Sequence, residues 1–151
     1  APTGDGDITV NIASAVATDA DGISSKASDQ YLILSDLSNP EAGTVNDGVS
    51  DDIDIQNNNF TISANWTGFT DTVSSVVSYE VALGNTTEDD IVSWTNVDTN
   101  TTHTFTNLTL LNAVEYHVHV RATDLAGNVS DDAELRKLRL DSIAARQSTS
   151  T

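Results

Sequence analysis

Apolar residues recur at every second position along most of this chain. The clearest case is Phe60, Ile62, Ala64 and Trp66, which alternate with Thr61, Ser63 and Asn65. In an extended backbone that spacing sends one set to a buried face and the other to solvent. The same reading predicts strands over 53–56, 60–66, 77–83, 91–97, 102–106, 114–122 and 134–140. Tyr79, Val81 and Leu83 point inward from the third, Phe105 from the fifth, and Leu138 and Leu140 share a face of the last. Seven short strands separated by turn residues predict an all-β sandwich, which needs about 100 residues.

Upstream, Ile8, Val10 and Ile12 alternate in the same way, and Gln30 to Leu34 reads as a closing strand. Between them, Ala17-Thr18-Asp19-Ala20-Asp21-Gly22-Ile23-Ser24-Ser25 follows the pattern A-T-D-x-x-G-x-x-S. That pattern returns at Ala122-Thr123-Asp124-Leu125-Ala126-Gly127-Asn128-Val129-Ser130. The offset, 122 − 17 = 105 residues, is close to the length of one sandwich. Residues 1–36 therefore read as the last two strands of a preceding domain, forming an N-terminal β-hairpin. Residues 37–48, with Asn39-Pro40-Glu41-Ala42-Gly43, read as a linker. Residues 49–141 read as the sandwich, and 142–151 as a linker or tail. A hairpin alone is marginal in water, so this one is expected to dock on a neighbouring domain or on another chain.

Trp66, Tyr79, Leu108 and Tyr116, the last leading Tyr116-His117-Val118-His119-Val120-Arg121-Ala122-Thr123-Asp124 into an Asp/Gly/Asn turn, form a signature of aromatics and leucine. It resembles fibronectin type III domains of the bacterial and extracellular repeat kind over about residues 45–141. The first 36 residues resemble the tail of a bacterial immunoglobulin-like repeat. The resemblance implies an immunoglobulin-like sandwich used as a spacer or binding module on the cell surface or outside the cell. One departure is the turn before the sixth strand, where Thr109-Leu110-Leu111-Asn112 replaces the usual proline and glycine.

Charge narrows the partners. The 151 residues carry 23 acidic and six basic side chains, a formal charge of −17. A phosphate backbone needs a basic patch, so nucleic-acid binding is disfavoured. Four of the six basic residues, Arg136, Lys137, Arg139 and Arg146, fall near the C-terminus. They form either a last strand running into a linker or a handle for an acidic neighbour. Cysteine is absent, which removes disulfides and thiolate metal sites. No run of 18 apolar residues suggests membrane insertion. A start at Ala-Pro-Thr and the lack of Met suggest a processed product or a piece of something longer.

Acidity also raises the question of calcium. Asp5 and Asp7, Asp19 and Asp21, and Asp52 and Asp54 stand in D-x-D spacing near Asp47 or in Asp-Gly turns. Calcium takes roughly six to eight oxygens, and D-x-D can converge two carboxylates from one edge. Turn chemistry accounts for the same residues without an ion. Six N-x-S/T sequons occur, and strand phasing turns Asn65, Asn85, Asn100 and Asn128 outward as glycan acceptors. Trp94 could present a stacking face to a sugar or cover the edge of the core. His117 and His119 lie on the outward face of the sixth strand and could hold zinc if a third ligand came from a neighbouring strand. Glu80, Lys137 and Arg139 are the expected neighbours, and the basic ones favour a plain solvent-facing pair.

No G-x-S-x-G, H-E-x-x-H or glycine-rich phosphate loop is present, and nothing argues for an enzyme. The expected function is a structural or adhesive repeat segment of a long extracellular fibre, appendage or adhesin. Its partners would be neighbouring domains or identical subunits joined head to tail. The alternative is an accessory module of a secreted polysaccharide-degrading enzyme, binding glycans or spacing a catalytic domain.

Overall fold

The computed structural model describes residues 3–50, 52–135 and 138–141. It divides into two units, Ala1–Ser38 and Asn39–Thr151. The expected basic handle at Arg136 and Lys137, and the tail 142–151 with Arg146, lie outside the described residues.

The first unit is one long hairpin. Strand β1 (Gly6–Val10) pairs antiparallel with β2 (Tyr31–Ser35), from Gly6 opposite Ser35 to Val10 opposite Tyr31. The ladder continues irregularly as Ser28 N–H donates to the Ile12 carbonyl and Ala15 N–H to that of Ser25. At the tip the Asp19 carboxylate accepts the N–H groups of Asp21 and Ile23, and Gly22 takes φ 80°. A residue without Cβ is suited to that left-handed position. No described residue from 3 to 38 is buried, and Tyr31 remains 73% exposed. The alternation predicts strands correctly here, but the unit holds no core of its own.

The second unit is the sandwich. One sheet contains β3 (Thr44–Asp47), β5 (Ile62–Thr67) and β8 (Thr102–Phe105), in the order β3-β5-β8. The other runs β4 (Ile55–Gln56), β11 (Leu138–Leu140), β9 (Glu115–Asp124), β6 (Val76–Gly84) and β7 (Val92–Asn96). Strand β10 (Ala133–Glu134) also pairs with β9. Between the sheets lie Ile62, Trp66, Val81, Leu83, Phe105, Val118, Val120, Leu138 and Leu140. Burying each large aliphatic group contributes about 1.5–3 kcal/mol. Tyr79 meets the edges of both Trp66 and Phe69, at centroid separations of 5.7 and 5.5 Å. The Tyr116 hydroxyl accepts the Leu111 N–H at 2.6 Å. That contact fixes the corner leading into β9, as the tyrosine corner does in sandwiches of this architecture. Two packed sheets, this strand order and this corner make an immunoglobulin/fibronectin type III-like β-sandwich.

Two expectations change. The first strand of the sandwich is β3, inside the stretch read as linker, and the 53–56 segment instead joins the last strand in parallel, Ile55 opposite Arg139. The pattern hid β3 because its inward pair is Val45 and a carboxylate, Asp47. Gly43 looked like a linker residue for the wrong reason: a Cβ there would stand 2.3 Å from the Thr67 carbonyl and 2.5 Å from the Phe69 ring. Its role is close approach. Phe60, expected inward, is 64% exposed and precedes β5 in a turn where Asn58 accepts its N–H.

Candidate functional site

The outer face of the larger sheet gathers the most chemistry. Strands β6 and β9 pair so that Glu80 faces Arg121, Ala82 faces His119 and Gly84 faces His117. On β6, Ala82 leaves room for the His119 imidazole opposite it. Ala82 is consequently fully buried although it points away from the core. Beyond β9, β10 places Glu134 opposite His119.

His119 is only 7% exposed, and its Nδ1 lies 2.6 Å from Asp132 Oδ2. His117 Nδ1 lies 2.7 Å from Glu134 Oε1, a close contact without hydrogen-bond alignment. Glu88 arrives from the β6–β7 loop, and donor atoms of Glu88, His119 and Asp132 all lie within 4.8 Å of one another. Burial alone would lower the His119 pKa. The hydrogen bond and charge of Asp132, backed by Glu134 and Glu88, outweigh it and raise the pKa above the ordinary histidine value. The β6–β7 loop is held by Asp90, which accepts the Asn85 N–H and the Thr86 hydroxyl. The sequence reading found the histidine pair but not Glu88, Asp132 and Glu134. These residues come from separate loops and strands, and only the sandwich brings them together. The pair is not simply solvent-facing, and Lys137, expected beside it, lies outside the described residues.

Trp94, on β7, shares this face. The Arg121 guanidinium carbon sits 4.2 Å from its ring centroid, while Arg121 Nε donates to Glu80 at 2.8 Å. One face of the indole is therefore taken by a cation, which leaves a sugar the other face at most.

Within the first unit the expected calcium ligands fall at two ends of the hairpin. Asp5 and Asp7 lie at the open end of the hairpin, and Asp19 and Asp21 at its tip. Asp5 is engaged by the Leu37 N–H and the Ser38 hydroxyl, which hold its pKa below the usual carboxylate value, and Asp19 serves its own turn. Asp52 and Asp54 line a groove with Gly43, Thr44, Val45, Glu134 and Leu135. Behind them Asp47 is fully buried. Its Oδ1 accepts the N–H groups of Ile53 and Asp54, whereas Oδ2 meets no donor. Burial, opposed by those two hydrogen bonds and reinforced by the Asp52 carboxylate, pushes its pKa up to about 6.

Of the outward sequons, the Asn65 amide donates to the Gly48 carbonyl, Asn100 to that of Val97 and Asn128 to Asp124. Asn85 is exposed in the β6–β7 loop, beside the histidine cluster.

No family model matches the chain, and no curated protein does. Among solved structures, a twitchin kinase region from C. elegans aligns over 74% of this chain at 14% identity and TM-score 0.49. The chain spans 18% of that structure's length. A multidomain fragment of titin aligns over 76% at 20% identity and TM-score 0.43, with 37% of its own length covered. A titin module from human cardiac muscle aligns over 74% at 15% identity and TM-score 0.37, covered over its whole length, 100%. No helix among the described residues is long and apolar enough to cross a membrane.

Proposed function

We propose that this chain is a non-catalytic repeat segment of a long extracellular fibre, appendage or adhesin, in which tandem sandwiches set length and assembly. The observation that carries the reading is the identity of two turns 105 residues apart. Ser25 N–H donates to the Ala17 carbonyl at 2.8 Å, and Ser130 N–H to that of Ala122 at 2.9 Å. Asp19 N–H donates to the Ile23 carbonyl at 3.0 Å, and Asp124 N–H to that of Asn128 at 3.0 Å. Gly22 and Gly127 repeat a third bond, to the carbonyls of Asp19 and Asp124. Ser25 and Ser130 hydroxyls repeat a fourth, accepting from Ala17 and Ala122. The bridges Thr18–Ser24 and Thr123–Val129 complete the match.

In the second unit this turn joins β9 to β10 and β11, the last strands of the chain to pair with it. The same turn on the same kind of hairpin supports reading unit 1 as the closing hairpin of another sandwich. Such a hairpin needs the remaining strands of a sandwich to cover Val10, Tyr31 and Ile33, which share one face of the ladder and are all exposed here. A neighbouring domain or a second copy joined head to tail would supply them by strand addition.

Light scattering on the full chain across concentrations, beside residues 39–151 alone, tests this. The full chain should self-associate with concentration, and the sandwich, which has its own core, should stay monomeric. A full chain that remains monomeric at millimolar concentration would overturn the assembly role.

A further inference from the structure

We propose that His119, Asp132 and Glu88 form a binding site for a borderline divalent cation of the zinc type. Tetrahedral ligands at about 2.0–2.1 Å from one ion stand roughly 3.3–3.4 Å apart. The three donor atoms, already within 4.8 Å of one another, reach that spacing with shifts of about 1.5 Å or less. Glu88 and Asp132 are exposed and can make that adjustment, whereas His119 is fixed in the sheet between Ala82 and Glu134.

The donor set selects the ion. An imidazole with two carboxylates suits zinc and its neighbours, while calcium prefers oxygen alone. The charge selects it too. Two carboxylates beside one histidine, with Glu134 adjacent, leave local negative charge that a divalent cation would neutralise. His117, its ring centroid 6.4 Å from that of His119, is placed to supply or orient a fourth ligand. The site would tie the β6–β7 loop to the β9–β10 turn. Its competitor is the proton shared by His119 and Asp132, which the metal must displace.

Calorimetric titration of the untagged full chain with zinc chloride at pH 7.5, with calcium chloride in parallel, tests the site. One zinc ion per chain should bind with no matching calcium signal, and the affinity should fall as the pH is lowered toward 5.5. His119→Ala should weaken binding by at least about 100-fold, since losing a ligand costs no less than losing the support of one. His119 is buried, so Glu88→Gln and Asp132→Asn, both at exposed positions, serve as variants that keep the fold by circular dichroism. Each should weaken zinc by about 10-fold or more, while His103→Ala on the other sheet should leave it unchanged. Zinc affinity retained in Glu88→Gln and Asp132→Asn, an equal loss in His103→Ala, or no zinc heat at all would overturn the proposal.

Discussion

Asp47→Asn should stabilise this protein at neutral pH, although it alters a fully buried, hydrogen-bonded side chain. The carboxyl has a pKa of about 6 in the fold against 3.8 in the open chain. At about 1.4 kcal/mol per pH unit, that gap amounts to about 3 kcal/mol favouring the protonated form. The sign follows from proton counts. Between pH 4 and 6 the folded state holds a proton that the unfolded state has lost, so stability falls as pH rises through that window. Above pH 6 the full cost is present, because an ionised Asp47 faces Asp52 with Oδ2 lacking a donor.

Asparagine has the same shape. Its carbonyl can accept from Ile53 and Asp54 as Oδ1 does now, and its NH2 supplies a donor toward Asp52. The variant should therefore gain about 2–3 kcal/mol at pH 7, raising Tm by roughly 10 °C for a domain of this size. Near pH 4 the gain should vanish. Urea unfolding of both proteins from pH 4 to 7.5 measures it. Comparing the two removes the general effect of the −17 charge, which weakens both as pH rises. A variant less stable than the parent at pH 7, or a difference that does not change with pH, would refute the reasoning.

Three further outcomes are expected. Gly84→Ala should destabilise the sandwich by about 2 kcal/mol or more, because a Cβ there would lie 1.6 Å from the Thr87 carbonyl; a thermal melt within a degree of the parent would contradict this. Tyr116→Phe should cost about 1–2 kcal/mol in urea unfolding, since it leaves the Leu111 N–H without its acceptor while the ring stays in the core. Leu83→Ala, at a site with no exposure, should cost about 2–5 kcal/mol in the same assay.

Period-two alternation was enough to reveal a β-sandwich, because each strand buries one face: Ile62, Ala64 and Trp66 in β5, and Tyr116, Val118, Val120 and Ala122 in β9. The repeated turn was legible for a related reason. Its hydrogen bonds are local, and Asp, Gly and Ser at fixed spacing nearly dictate them. Sequence could not reveal β3, whose inward carboxylate at Asp47 breaks the apolar pattern, nor the close packing that requires Gly43. Still less could it show that Glu88 and Asp132 meet His119. Alternation assigns a residue to a face of its own strand, whereas which loops cross that face depends on strand order, register and loop path. Those are set by packing the whole core, and so the sequence by itself determined the strands and the turns while the tertiary structure decided the chemistry on their outer face.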